Sequence, residues 1–136
     1  MEKDLLIIIN EEKESINKLL ELLKLQFSYI AKEDLFALEK LVDDIKLCNK
    51  SIAEWEVKRR GMLNGKSMPE FVSSCNDAEL KERYNDIQNL LELVIRQKDT
   101  NDLLLKQRLT ITNQILQVIN PNRDTKTYNS YGKIRR

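Results

Sequence analysis

The residues that could carry chemistry in this chain of 136 residues are few, and their spacing fits no common catalytic arrangement. There is no histidine, which excludes Ser-His-Asp and Cys-His relays and every zinc site that uses an imidazole. Cys48 and Cys75 are separate from each other and form no CxxC pair, so they predict neither a redox couple nor a four-ligand metal cluster. The segment Gly61–Ser67 contains Gly-Lys-Ser, but it is one residue too short for a phosphate-binding loop and follows no predicted strand. We therefore expect a protein that is not an enzyme and that takes no cofactor, metal or small-molecule substrate.

The composition points to helices connected by few turns. The chain has only 3 Gly and 2 Pro, whereas 33% of its residues are charged. Turns favour Gly and Pro, so their scarcity argues against many-stranded sandwiches and barrels and against doubly wound α/β folds. The apolar runs are too short for a membrane span or for the core of a signal peptide. We expect one all-α domain in a cytoplasmic protein with reduced thiols.

Apolar residues recur at spacings of three and four, which predicts an elongated antiparallel helical hairpin or three-helix bundle with coiled-coil character. The expected helical domain covers residues 1–120. Its helices are expected at about 3–30, 34–61, 68–73 and 77–119. In the second helix, Cys48 and Arg59 fall on the predicted seam.

Capping residues mark where these helices begin. Asp34 is an expected N-cap, and capping boxes are expected to begin at Ser67 and Asn76. The short helix after Ser67 is expected to place Met68 and its apolar neighbours against the end of the helical hairpin. The wide apolar face of the first helix is covered either by the third long helix or by a second chain, so a homodimer stays open.

The third long helix contains a wholly polar stretch, Arg96–Asp102. Its seam residues Lys98 and Asn101 either set the register of the packing or mark a joint that lets the last segment move. Beyond residue 103, apolar residues cover more than one face of the helix. Exposed apolar surface of that kind marks partner sites.

Residues 121–136 form a predicted flexible basic tail. Five basic residues oppose Asp124, which gives the tail a charge of +4 and leaves −3 for residues 1–120. Such a tail could bind phosphates, but the rest of the chain has no basic stripe and no helix-turn-helix spacing. We therefore expect no nucleic-acid partner.

Nearly the whole sequence resembles FlgN-type flagellar export chaperones. The resemblance is carried by Asn101–Leu109, Asn113–Leu116, Asn120–Pro121 and Thr127–Lys133 in the C-terminal part, and by Asp34–Val42 through Trp55–Arg60 in the second helix. The tail after the helix is the more specific evidence, because any coiled coil shares the heptads.

The resemblance implies a small cytoplasmic type III secretion chaperone. It implies binding to the C-terminal helices of the hook-associated proteins at the hook–filament junction, protection of those helices from premature assembly, and delivery to the flagellar export gate. The implied client-binding residues lie in the last part of the third long helix: Leu103, Leu104, Leu109, Ile111, Ile115, Leu116 and Ile119.

The resemblance also implies a contact between the tail and the export gate. Family members carry a Tyr-Gly-x-x-Gly stretch, and Tyr128 and Gly132 match its first and last positions, while Asn129 replaces the first glycine. Asn adopts positive φ more readily than other non-glycine residues, so the turn can persist. Either Tyr128 or Tyr131 is then the anchor. The alternative interpretation of the whole chain is a structural coiled-coil scaffold that forms homo-oligomers and has no client.

Overall fold

The fold is helical, as the sequence predicts. A computed structural model describes residues 2–120, and their helices are α1 (Glu2–Ala31), α2 (Leu35–Gly61), α3 (Met68–Ser74) and α4 (Ala78–Ile119). The predicted tail, with Tyr128, Tyr131 and Gly132, lies outside the described residues. In the described part of the chain, none of the helices has a segment both long and apolar enough for a membrane span.

Side chains cap the starts of α2 and α3 where the sequence predicts them. The Asp34 carboxylate accepts a hydrogen bond from the Ala37 backbone N–H at 3.1 Å. The Ser67 hydroxyl accepts one from the Glu70 backbone N–H at 3.3 Å, and a proline occupies the first turn of α3. Each bond satisfies a backbone donor that has no partner inside the helix, which fixes where the helix begins.

The cap of α4 lies one residue later than predicted. Asp77, and not Asn76, is the N-cap, and its carboxylate accepts from the backbone N–H groups of Glu79 at 3.0 Å and Leu80 at 3.2 Å. A carboxylate also interacts more favourably than an amide with the positive end of the helix dipole, which accounts for the difference.

Helix α1 lies in the middle of the fold. Among the described helices it packs along both α2 and α4, whereas α2 and α4 approach each other at few points. Cys48 and Arg59 of α2 contact Ser15 and Glu12 of α1 respectively, so α2 runs antiparallel to α1. Contacts of α4 with α1 advance in the same direction along both helices, from Asp86 near Lys13 to Arg108 near Ala31, so α4 runs parallel to α1.

The core is divided into two clusters along α1. The first joins the N-terminal half of α1 to α3 and to the start of α4, and its buried members are Leu5, Ile9, Ile16, Leu63, Met68, Cys75, Leu80 and Ile87. Phe71 and Val72 of α3 pack against this cluster, so α3 covers the end of the α1–α2 hairpin. Cys75, which the sequence places in a connection, is a buried member of this core.

The second cluster joins the C-terminal half of α1 to the first half of α2. Its buried members are Leu22, Leu23, Leu41, Ile45 and Cys48. The Cys48 thiol donates to the Ser15 carbonyl at 3.2 Å, and burial raises the pKa of this thiol. A buried, neutral thiol of this kind packs as a small apolar side chain, as its seam position predicts.

A charged pair replaces apolar packing at one position of the predicted α2 seam. Arg59 Nε donates to Glu12 Oε2 at 2.8 Å and Arg59 Nη2 donates to Glu12 Oε1 at 3.4 Å. The two side chains keep 14% and 5% of their surface exposed, respectively. Two hydrogen bonds from one guanidinium to one carboxylate fix the register between α1 and α2.

Candidate partner-binding surface

The polar stretch of α4 is a packed and continuous part of the helix. Asn101 is only 1% exposed and donates through Nδ2 to the Leu23 carbonyl at 2.7 Å and to Gln26 Oε1 at 2.9 Å. Its Oδ1 accepts from Gln97 Nε2 at 3.0 Å. Lys98, the other predicted seam residue, is exposed. Of the two interpretations of this stretch, the hydrogen bonds support register setting, because they specify one alignment of α4 on α1.

Helix α4 continues beyond the end of α1. Near that end, Arg108 Nη2 donates to the Ala31 carbonyl at 3.3 Å and Arg108 Nη1 lies 3.5 Å from Glu33 Oε1. The helix then runs on to Ile119. At 1.5 Å per residue, this extension is about 16 Å long, or about three turns. We call residues 109–119 the overhang, because α1 has ended where they begin.

A groove opens where the overhang begins to extend beyond α1. It encloses about 250 Å³ and lies between α4 and the turn that connects α1 to α2; its lining residues are Ile30, Glu33, Leu35, Leu38, Leu105, Arg108, Leu109 and Thr112. Most of the lining residues are apolar, and the Glu33–Arg108 ion pair forms the charged part of the lining. The groove could therefore accept an apolar side chain from a partner.

The predicted client-binding residues fall along different sides of α4. Leu109 and Leu116 are seven residues apart, so they lie along one line, and Leu109 lines the groove. Ile111 and Ile115 are four residues apart on a second line, about 160° and 120° from Leu109, respectively, at 100° per residue. They are 52% and 54% exposed, respectively. Ile119 extends the second line by one more turn and is also exposed.

The two remaining predicted residues lie before the overhang. Leu104 is partly buried and stands two turns before Ile111 on the same line. Leu103 is exposed and points to another side of the helix, about 80° from Ile111. The structure thus groups Leu104 with the exposed line and sets Leu103 apart from both lines.

Sequence reasoning missed the wall of the groove that faces α4. That wall consists of Ile30, Leu35 and Leu38, and Leu105 completes the α4 side. Leu35 remains half exposed although it directly follows the Asp34 cap. The signal in the sequence was Leu35 itself, an apolar residue at the first position of the predicted second helix. The sequence does not show which element Leu35 faces, because that depends on how α4 packs.

The arrangement is suited to binding a partner. Within residues 2–120, no three side chains of Cys, Asp or Glu come together as a metal site. The surface combines a groove with an exposed apolar line on one continuous helix. Those features suit the recognition of an amphipathic helix through anchors at i, i+3, i+4 and i+7.

Comparison with known proteins gives one match. A family model described as FlgN protein matches residues 1–136, the full length of the chain. No curated protein and no solved structure matches.

Proposed function

Because the chain belongs to the FlgN family of flagellar export chaperones, we propose that it binds the C-terminal helices of the hook–filament junction proteins in the cytoplasm. Binding would keep those helices from assembling before export and would bring them to the export gate. The clients are the hook-associated proteins, and the chaperone works without chemistry on them.

The observation that carries this proposal is the overhang. Ile111, Ile115 and Ile119 stay exposed on a helix that Asn101 and Arg108 hold against α1 through hydrogen bonds. An exposed apolar line on a rigid helix is a docking surface for a second amphipathic helix. We propose Leu104, Leu109, Ile111, Ile115, Leu116 and Ile119 as client contacts, with Leu103 at the edge of the surface.

A binding measurement tests the client proposal. Fluorescence anisotropy with labelled C-terminal segments of the junction proteins should give binding to the intact chain and at least about tenfold weaker binding to an Ile111→Asp/Ile115→Asp variant, because two apolar anchors are lost. Leu47→Asp/Val57→Asp is the matched control, since Leu47 and Val57 are exposed apolar residues on α2. Absence of binding by the intact chain would contradict the proposal.

We also propose a contact of the tail with the export gate through Tyr128 or Tyr131, together with Gly132. Tyrosine supplies a large contact area with few rotatable bonds, which suits a short recognition segment. Tyr128→Ala and Tyr131→Ala should leave client binding unchanged, and the anchor substitution should weaken binding to the isolated gate component. If neither substitution changes gate affinity, the tail assignment is wrong.

The exposed line also supports a second candidate, a scaffold that forms homo-oligomers. A second copy could cover Ile111 and Ile115, and the protein would then have no client. Light scattering separates the two functions, because the scaffold predicts a tight oligomer that Ile115→Asp dissociates, whereas the chaperone predicts binding of the client segments.

A further inference from the structure

A further heptad seam runs along the outer side of α4. From Leu93 to Val118, steps of four and three residues alternate, and at 100° per residue these positions stay within about 50° of one line. We call them the outer seam; its residues are Leu93, Gln97, Thr100, Leu104, Gln107, Ile111, Gln114 and Val118. The outer seam contains Leu104 and Ile111 of the exposed line and continues that line about three turns back along the part of α4 that packs on α1.

The outer seam faces away from α2. Leu93 lines a shallow depression together with Lys13, and the lining of this depression comes from α1 and α4 only. Val94, the next residue, instead lines a cavity to which α2 contributes. Leu93 and Ile111 are about half exposed, and Val118 is largely exposed. The seam therefore presents apolar side chains that the described helices leave uncovered.

None of the outer-seam residues is charged, although charged residues make up 33% of the chain. Glu92, Asp99 and Lys106 recur every seven residues along a different line, about 110° away. Arg96 and Arg108 border the seam, and Arg108 is already bonded to the end of α1. A partner therefore meets a surface about 38 Å long that consists of apolar, amide and hydroxyl groups.

The length of the outer seam favours a long partner helix. A helix that covered only the overhang would have about 11 residues, and isolated helices shorter than about 12–15 residues are marginal in water. A helix that lies along the whole seam instead gains about seven turns of contact.

The polar residues of the seam favour an uncharged partner. Gln97, Gln107 and Gln114 need hydrogen-bond partners once a helix covers them. Amide and hydroxyl side chains of a partner supply such bonds. A glutamate or lysine that faced the seam would lose its water without meeting an opposite charge.

We propose that the occupant of the outer seam is an amphipathic helix of about 26 residues from a partner protein, with apolar and uncharged polar side chains at its facing positions. This inference rests on the proposed function and names the length and chemistry of the client segment. A second copy of the chain fits less well, because about half of the seam is polar, whereas permanent homodimer interfaces are the more apolar ones.

The test uses the full chain and three synthetic helical peptides of about 28 residues that share one apolar pattern. Their facing polar positions carry glutamine, glutamate or lysine, which have similar helix propensities, so the peptides differ mainly in charge. Fluorescence anisotropy should show at least about tenfold weaker binding of both charged peptides than of the glutamine peptide. Tight binding of either charged peptide would overturn the inference.

A shortened glutamine peptide tests the length of the site. A peptide of about 11 residues matches the overhang alone and should bind at least about tenfold more weakly than the long one. Equal affinity of the two would confine the site to the overhang and contradict its extension along α4.

Paired variants locate the site on α4. Thr100→Glu/Gln107→Glu places two charges at exposed seam positions before the overhang and should weaken binding of the glutamine peptide at least about tenfold. Asn85→Glu/Gln88→Glu adds the same charge at exposed positions of α4 that precede the seam and should leave binding unchanged. Equal behaviour of the two variants would contradict the assignment. So would a homodimer that excludes the peptide and that the seam variant dissociates.

The outcome also separates this inference from the proposed function. If the junction-protein segments bind the chain and the Thr100→Glu/Gln107→Glu variant binds them equally well, the function stands and the inference fails. If the glutamine peptide binds as expected but no junction-protein segment binds, the proposed clients are wrong and the chemistry of the outer seam stands.

Discussion

Replacing Asn101 with leucine is expected to destabilise the protein although the two side chains have the same number of heavy atoms and the same branching at Cγ. The substitution removes the hydrogen bonds to the Leu23 carbonyl and to Gln26 Oε1. The Leu23 carbonyl is inside α1 and can keep its helical partner. Gln26 is buried, so its amide oxygen loses a partner that water cannot easily replace.

The expected loss in the free energy of unfolding follows from the Gln26 amide oxygen that is left without a hydrogen-bond partner. A buried polar atom left without a partner costs about 1–3 kcal/mol, whereas replacing both partners with apolar groups can be nearly neutral. Asn101→Leu should therefore lower the free energy of unfolding by about 2 kcal/mol. Gln26→Leu should lower it by a similar amount, and the double variant should recover most of the loss.

Urea unfolding followed by circular dichroism at each corner of this double-mutant cycle gives the coupling between the two sites. Asn85→Leu is the matched control for helix propensity, because Asn85 is an exposed residue of α4. The reasoning is refuted if Asn101→Leu changes the free energy of unfolding by less than about 0.5 kcal/mol, or if the two single effects simply add.

Three further results are expected. Arg59→Met should lower the free energy of unfolding in urea by roughly 3 kcal/mol, because it leaves the Glu12 carboxylate buried without its partner. Adding Glu12→Leu should restore most of this loss. If the effects of the two substitutions simply add, this interpretation is wrong. Cys48 should react slowly with a thiol reagent at pH 8 until urea is added, because burial raises the pKa of the thiol and shields it; fast reaction in the folded protein would exclude this. Hydrogen bonding to Arg83 lowers the pKa of Asp86, so the stability that Asp86 adds should be fully present above about pH 4 and disappear as the pH falls through its lower folded pKa. Unfolding curves of Asp86→Asn and the unchanged protein should then converge in acid; a gap that persists there would rule out this linkage.

Much of the helical architecture was readable from local patterns. Apolar spacing predicts the long helices, and the caps at Asp34 and Ser67 occur as expected because a cap depends on residues within one turn. The N-cap of α4 was predicted at Asn76 but lies at Asp77. Both residues can cap a helix, and which of the two does so depends on the electrostatics of the helix end. Asn101 was recognisable as a polar seam residue, but its partners Leu23 and Gln26 lie more than seventy positions away in the chain.

The candidate surface was only partly predictable for the same reason. The sequence marked the last part of α4 as apolar on several sides, yet it gave no way to tell whether the Leu109 line or the Ile111–Ile115 line faces the groove. That depends on how α4 is rotated against α1, and on the groove wall that includes Leu35 at the start of α2.

By itself, the sequence determined the helical class, the lack of imidazole chemistry, the apolar character of the last part of α4 and the resemblance to a chaperone family, because these depend on residue types and near neighbours along the chain. Only the tertiary structure decided which apolar residues stay exposed. Exposure depends on the length of the neighbouring helix: α1 ends at Ala31, α4 continues past it from Arg108 to Ile119, and the overhang is left without α1 beside it. Local patterns predict where each helix ends, but only the packing of distant segments sets the axial position of α4 on α1 and therefore how much of α4 extends past Ala31.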